Sequence, residues 1–153
     1  MGRFTRKGTS KVFFVAALAS TTAPSLAEIN AGTDLGAAMA EMSGFTFSNS
    51  PIDTPDLANS FVPSITGEDK ADNPTIQFYD DATSVAVRTA LAKGSAGYVV
   101  LMPYGATATK RAEVWPVVST GFNDMWTVGN EAAKASVQFA VSSAPKQGST
   151  LAA

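Results

Sequence analysis

The stretch that decides the fold is residues 50–81, SPIDTPDLANSFVPSITGEDKADNPTIQFYDD. Its first part is rich in Pro, Asp, Ser and Asn and has neither helical nor strand periodicity. A loop longer than roughly 12–15 residues in a small domain is usually functional or disordered. This one carries spaced apolar residues, which a disordered linker would mostly lack: Ile52, Leu57, Phe61, Val62 and Ile65. Residues 48–73 are therefore predicted to be a long, ordered assembly loop that docks on a neighbouring subunit.

Charge is distributed unevenly along the 153 residues. Residues 1–11 carry four positive charges (Arg3, Arg6, Lys7 and Lys11) and no acid, whereas the other 142 residues carry 7 basic and 13 acidic side chains, a net charge of −6. A basic arm on an acidic body can bind nucleic acid, an anionic membrane or the acidic face of another subunit. So few cations, without interleaved aromatic residues, disfavour binding to duplex DNA.

The chain contains no cysteine and no histidine. This excludes disulfides, thiolate catalysis, the usual zinc sites and Ser-His-Asp chemistry. Residues 68–72 lack the ligand spacing of a calcium loop. Residues 32–36 lack the lysine of a phosphate-binding loop. We expect no catalytic, metal or cofactor site, and the chain is not predicted to be an enzyme.

The N-terminus imitates a secretory signal, because a basic start precedes the apolar residues 12–19 and a small-residue pattern at 25–27. However, the apolar stretch is short, and Val12 and Phe14 alternate with Phe13 and Val15 as in a strand buried on both faces. We interpret residues 10–18 as the first core strand and keep cleavage after Ala27 as the alternative. No segment approaches the roughly 20 apolar residues that span a bilayer.

The rest of the pattern is mostly β. Residues 75–79 and 135–143 alternate clearly, with Val137, Phe139 and Val141 facing inward in the second. Further strands are predicted within 37–47 and over 97–104 and 111–120, where Pro116 indicates an edge or a bulge.

Helical structure is predicted in two places. A short helical turn is expected at 24–28 and one helix over 82–92, with Asp81 as its N-cap and Gly94 as its stop. The prediction is one mainly β (α+β) domain over 1–145, an antiparallel sandwich or barrel with one flanking helix, and a flexible tail over 146–153.

Several segments, in this order, carry a resemblance to a known family. They are residues 24–35 (PSLAEINAGTDL), 42–47 (MSGFTF), 52–57 (IDTPDL), 65–67 (ITG) and 73–81 (NPTIQFYDD), followed by the strand 94–104. Together they cover about half of the chain. With them the chain resembles the major tail (tail tube) proteins of long-tailed, siphovirus-type bacteriophages, particularly those of actinobacterial hosts.

The resemblance implies a structural subunit of the virion tail, made in the host cytoplasm. Subunits of that family form hexameric rings that stack into a tube, through which the genome is ejected without specific DNA binding. A tape-measure protein and a tail terminator are the implied partners, and no membrane is involved. The arm (1–11) and the long loop (48–73) would reach the adjacent ring. The residues predicted to make these contacts are Arg3, Arg6, Lys7, Ile52, Asp53, Leu57, Phe61, Ile65, Glu68 and Asp69.

Two other functions remain open at this point. One is a secreted β-sandwich binding module, which requires the signal peptide to be cleaved. The other is a tail terminator or the inner tube of a contractile system of the type VI secretion kind. Candidates for acids facing a tube lumen are Glu41, Asp124 and Glu131.

Overall fold

The structure, a computed structural model, describes residues 2–152, with the side chain of Thr83 excepted. The predicted arm and tail each include one terminal residue, Met1 and Ala153, that lies outside this range. Within it the chain forms ten strands and two short α-helices, the second preceded by a 3-10 turn at Ala82–Ser84. Their order is β1 (Lys11–Val15), α1 (Leu26–Asn30), β2 (Thr33–Asp34), β3 (Met39–Ser43), β4 (Phe47–Asp53), β5 (Ser64–Ala71), β6 (Thr75–Tyr79), α2 (Val85–Ala90), β7 (Ala96–Met102), β8 (Arg111–Met125), β9 (Lys134–Val141) and β10 (Lys146–Thr150).

Eight of these strands form one antiparallel sheet, which is the body of the molecule. The strand order is β2-β1-β7-β8-β9-β6-β3. β10 pairs with the first part of the long strand β8, and β9 pairs with the rest of it. The remaining two strands, β4 and β5, pair only with each other. The predicted fold class, mainly antiparallel β with flanking helix, is confirmed.

The body buries apolar side chains on both faces of the sheet. One cluster contains Phe14, Ile76, Phe78, Trp115 and Phe139, and α2 covers it through Val87 and Leu91. The other lies on the opposite face and contains Phe13, Val15, Ile29, Val114 and Leu151. Burial of this kind contributes about 25 cal/mol per Å² of apolar surface.

Strand β1 supplies side chains to both clusters, as its alternating pattern predicted. Phe14 lies in one cluster and Phe13 in the other, and both are less than a tenth exposed. The strand is bonded to β2 on one edge and to β7 on the other. Cleavage after Ala27 would remove β1. The hypothesis of a secreted module therefore requires the rest of the sheet to fold without a strand that contributes to both apolar clusters.

The two alternating segments became the strands that their pattern predicted. β6 has the bounds expected, Thr75–Tyr79, with Ile76 and Phe78 fully buried. β9 buries Val137 and Phe139, and Val141 at its end is partly exposed.

Pro116 is not at a sheet edge, as its sequence position suggested, but in the middle of the central strand β8. On one side of β8 it pairs with Tyr98. On the other side of β8 the partner strand changes: β10 pairs with β8 as far as Val114, and β9 pairs with it from Val117 onward. The carbonyl of Pro116 accepts a hydrogen bond from Ser142 N at 3.0 Å. A proline is tolerated here because its missing N–H falls in the gap between two partner strands.

The segment 146–153, predicted to be a flexible tail, instead forms β10 as far as the structure describes it. Leu151 is 2% exposed in the core, and Ser149 is buried as well. The backbone continues the attachment, because Leu26 N donates to Ala152 O at 3.0 Å. The polar composition of this segment gave no sign that it is ordered. One buried leucine and several backbone hydrogen bonds are enough to attach it to the body.

The helix predicted over 82–92 is shorter and begins with the 3-10 turn. The α-helical part covers Val85–Ala90, its N-cap is Ser84, and Gly94 follows in a left-handed conformation with φ +88. Asp81 stands directly before the 3-10 turn, where its carbonyl accepts from Ser84 Oγ at 2.9 Å. Its role as the N-cap stays a prediction. In the described part of the chain, neither helix has the length or hydropathy needed to cross a bilayer.

Candidate assembly interface

The long loop predicted over 48–73 is a two-stranded β-hairpin that stands apart from the body. We call residues 47–71, which comprise β4, β5 and their connection, the hairpin, and residues 54–63 its tip. Every residue of β4 is exposed. Because neither face of the hairpin packs on a core, its side chains show no period, and its strands were therefore missed in the sequence.

Cross-strand contacts hold the hairpin in register. Asn49 Nδ2 donates to Gly67 O at 3.0 Å and also to Asp69, and Gly67 N donates back to Asn49 Oδ1 at 3.2 Å. A Cβ on Gly67 would lie 2.0 Å from Ser50 O, so only glycine fits at this register shift. Thr54 N and Oγ1 both donate to Pro63 O, which closes the tip. The hairpin is thus an ordered projection.

The predicted apolar contacts all lie on the surface of the hairpin. Ile52 and Ile65 face each other across the strands and are 54% and 57% exposed. At the tip, Leu57 is fully exposed and Phe61 is 72% exposed. Exposed apolar groups concentrated in this way indicate a surface that another protein covers.

The charged residues predicted at the interface are also on the hairpin. Asp53 ends β4 and Asp56 lies in the tip, whereas Glu68 and Asp69 lie on β5. Residues 47–72 carry five acids (Asp53, Asp56, Glu68, Asp69 and Asp72) and one base, Lys70, giving a net charge of −4.

The basic arm, described over residues 2–10, lies at the end of the body where β7 turns into β8. The ring of Phe4 packs on Tyr104 with centroids 5.4 Å apart, and Arg111 lies over the same tyrosine. Ser10 Oγ donates to Pro103 O at 2.8 Å. Arg3, Arg6 and Lys7 are exposed. Within the described residues of one subunit, no arm side chain forms an ion pair with the hairpin, so the predicted contact is not made in the same chain.

Beside the arm lies a cleft that the sequence did not indicate. It has a volume of about 670 Å³ and lies between the start of β1, strand β3 and the end of β7. Its apolar floor is formed by Met39, Met42 and Leu101, and its rim includes Arg6, Lys7 and Lys11, together with Glu41 and Glu113. Three segments far apart in sequence build it, so no local pattern could have revealed it.

A second exposed apolar patch lies at the opposite end of the body, around the connection between β8 and β9. Trp126 is 91% exposed there, Val128 is fully exposed, and Met125 is nearly half exposed. Trp115, by contrast, is fully buried, and Phe45 packs edge-on against it at 5.4 Å. The available signal for this patch in the sequence was the apolar residues Met125, Trp126 and Val128 within a polar segment.

Next to this patch, Arg88 ties α2 to the ends of β6 and β8. It forms ion pairs with Asp124 and Asp80 and lies 5.1 Å above the ring of Phe122. The hydrogen bond from Arg88 to Asp124 raises the pKa of the guanidinium, and the two carboxylates add to this shift. Asp124 is therefore engaged with Arg88, while the other two lumen candidates are Glu41 in the cleft and Glu131, which is exposed.

The described residues contain no group of three acids that could hold a metal ion. What they present is a projecting hairpin, a basic arm and an apolar cleft. Exposed apolar groups of this kind are typical of surfaces that contact other proteins.

Comparisons with known proteins agree with this description. The family model described as "Phage tail tube protein" matches residues 1–153. Among solved structures, the fold is similar to a chain of the assembly titled "Cryo-EM structure of the anti-feeding prophage (AFP) baseplate, 6-fold symmetrised", with a TM-score of 0.61. The identity is 9%, and the match covers 95% of this chain and 96% of the other. No curated protein matches the sequence.

Proposed function

Because this chain belongs to the phage tail tube protein family, we propose that it forms hexameric rings that stack into a channel for genome ejection. The family is a structural one, and it places the chain in the virion tail. The hexamer, the stacking and the channel are the proposal. We further propose a tape-measure protein and a tail terminator as its partners and a siphovirus-type phage of an actinobacterial host as its source.

The observation that carries this proposal is the hairpin. An ordered projection of more than twenty residues that contributes almost nothing to its own subunit's core is explained by a contact with another subunit. Burial of Ile52, Leu57, Phe61 and Ile65 would supply most of the contact energy, at about 25 cal/mol per Å² before ordering costs. Ion pairs would orient the two subunits relative to each other. They would join the hairpin acids Asp53, Glu68 and Asp69 to the arm residues Arg3, Arg6 and Lys7 of the neighbouring subunit.

Ring formation is supported by the open edges of the sheet. Among residues 2–152, strand β3 pairs with β6 alone and β2 with β1 alone, so the described sheet ends at both strands. Edges of this kind pair readily with other chains. The similar baseplate chain comes from an assembly described as six-fold symmetrised, which supports six subunits per ring.

The charge of the body supports a channel that does not hold DNA. Residues 12–153 have a net charge of −6. Acidic groups along a lumen repel phosphates, so no counterions are released on contact and the duplex stays mobile. We propose Glu131, which is exposed, as a candidate for this role.

Negative-stain electron microscopy of the purified protein tests the proposal. We expect hollow tubes or six-fold rings at high concentration. The matched control replaces residues 48–70 by a short Gly-Ser linker, and circular dichroism checks that its body stays folded. It should stay monomeric. A wild-type protein that remains monomeric both alone and with fragments of phage tails would contradict the proposal.

A further inference from the structure

We infer that the cleft between β1, β3 and β7 is the receptor for the hairpin tip of a second copy of this chain. The inference rests on the proposed self-assembly and goes beyond it, because it assigns both sides of one contact. Three features of the cleft carry it: its apolar floor, its basic rim and its separation from the hairpin of the same chain.

The floor of the cleft matches the apolar residues of the tip. Met39, Met42 and Leu101 are only partly buried, so part of their apolar surface faces the opening. Methionine side chains adapt their shape to what they contact. The volume of about 670 Å³ lies within the roughly 300–1,000 Å³ range of protein pockets that bind a compact ligand. Leu57 and Phe61, the two most exposed large apolar side chains of the tip, are of a size that such a pocket accepts.

The charges of the rim set the orientation of the tip. Arg6, Lys7 and Lys11 lie on the arm side of the cleft, and Glu41 and Glu113 lie on the strand side. The tip and its flanks carry Asp53 and Asp56 and, over residues 51–63, no basic residue. The tip should therefore enter with its acids toward the arm, because the opposite orientation would place like charges together.

The tip that fills the cleft belongs to another copy. The hairpin's own hydrogen bonds join its two strands or close its tip, as those of Asn49 and Thr54 do. Its strand β4 has seven residues. At roughly 3.3 Å per residue it places the tip about 23 Å from the start of β4, and no described residue of the hairpin lines the cleft. Since two different surfaces meet in this contact, it is heterologous and can continue from subunit to subunit, as stacking requires.

Disulfide trapping tests this contact, because the chain has no cysteine of its own. We would mix Leu57→Cys protein with Met42→Cys protein carrying a size tag, oxidise mildly, and read the mixed dimer on a non-reducing gel. The control replaces Met42→Cys by Val128→Cys, which is fully exposed at the other end of the body. We expect the mixed dimer with Met42→Cys and not with Val128→Cys.

Charge reversal provides a second readout. Arg6→Glu with Lys7→Glu in the cleft partner should lower the yield of mixed dimer about fivefold, as expected for a few weak surface ion pairs. Asp53→Lys with Asp56→Lys in the tip partner should restore it. A yield that is unchanged by reversal on either side would contradict the orientation of the tip.

Imaging the same samples separates this inference from the proposed function. Tubes or rings that form without the Leu57–Met42 link overturn the receptor assignment and leave the tail-tube proposal intact. If the Leu57–Met42 disulfide forms specifically in soluble dimers and no rings are seen, the result supports the contact between hairpin and cleft and contradicts the proposed hexameric ring. If neither link nor assembly forms, both are wrong.

Discussion

The body and the hairpin of this molecule use the same kinds of residue for opposite purposes. In the body, Phe78 and Phe139 are fully buried between strands and helix. In the hairpin, Phe61 and Leu57 lie in the tip beyond the paired strands and are exposed to water. The body stabilises the monomer, whereas the hairpin adds little to it, in keeping with the proposed contact between the hairpin and another chain. Substitutions in the two regions should therefore change different measurements.

The largest effect is expected from the two tryptophans, one in each environment. Trp115→Ala opens a cavity in the core and should lower the free energy of unfolding by about 3–5 kcal/mol. Trp126→Ala removes an exposed side chain and should change it by no more than about 0.5 kcal/mol. Urea denaturation followed by circular dichroism measures both. Equal losses for the two variants would contradict the division into body and surface.

A smaller effect is expected at the C-terminal strand, which tests whether β10 belongs to the body. Leu151→Ala should cost about 2–4 kcal/mol in the free energy of unfolding, since Leu151 is 2% exposed. Gln147→Ala, on an exposed position of the same strand, is the control and should be near neutral. If Leu151→Ala is also neutral, the segment is a mobile tail after all.

The hairpin should show the reverse behaviour. Leu57→Ser with Phe61→Ser should leave urea denaturation of the monomer unchanged. The same pair should raise the concentration needed for assembly by roughly tenfold or more, because two apolar side chains are no longer buried between subunits. Sedimentation measures the assembly threshold, with Ser60→Ala in the tip as control. A destabilised monomer would show that the hairpin supports its own body.

The smallest effect is expected for Arg88, which lies on the boundary between body and surface. Arg88→Ala removes partly exposed ion pairs and a contact with Phe122, and should cost about 1 kcal/mol. The pKa of Arg88 is raised in the folded state. Its stabilisation is therefore complete below the unfolded pKa and is lost only as the pH rises through the folded pKa, far above neutrality.

The difference between wild type and Arg88→Ala in chemical denaturation should accordingly be constant between about pH 6 and pH 9. Lys93→Ala, an exposed cation shortly after the same helix, is the control and should show no difference at either pH. A difference that disappears by pH 9 would contradict this account.

The sequence predicted the body better than the interface, for a physical reason. β6 and β9 each have one buried face, so Ile76 and Val137 recur at the strand period. The hairpin has no buried face, and its strands leave no period, although its exposed Ile and Phe side chains marked it as a contact surface. The prediction of an edge or a bulge at Pro116 missed its position within the central strand β8. The partner of β8 changes there from β10 to β9, which depends on the tertiary structure and leaves no local sequence pattern.

The cleft could not have been predicted at all. Val12, Met42 and Leu101 are neighbours only because β1 and β7 pair and β3 lies across from them. The arm and the acidic hairpin were visible as charge runs, but the sequence could not say that the arm lies along the rim of an apolar opening. A binding surface made from three separated strands becomes visible only in the folded chain.

The pairing of β1 has a consequence for how the subunit is made. β1 is synthesised well before one of its partners, β7, which comes from the other half of the chain, with Lys11 opposite Met102. Contacts this distant in sequence form slowly and late. β1 therefore leaves the ribosome long before its partner β7 has been synthesised, and the acidic hairpin emerges during that interval. In the contact proposed above, a nascent chain would therefore expose its hairpin before its own cleft has formed, so two nascent chains could not yet bind each other through it.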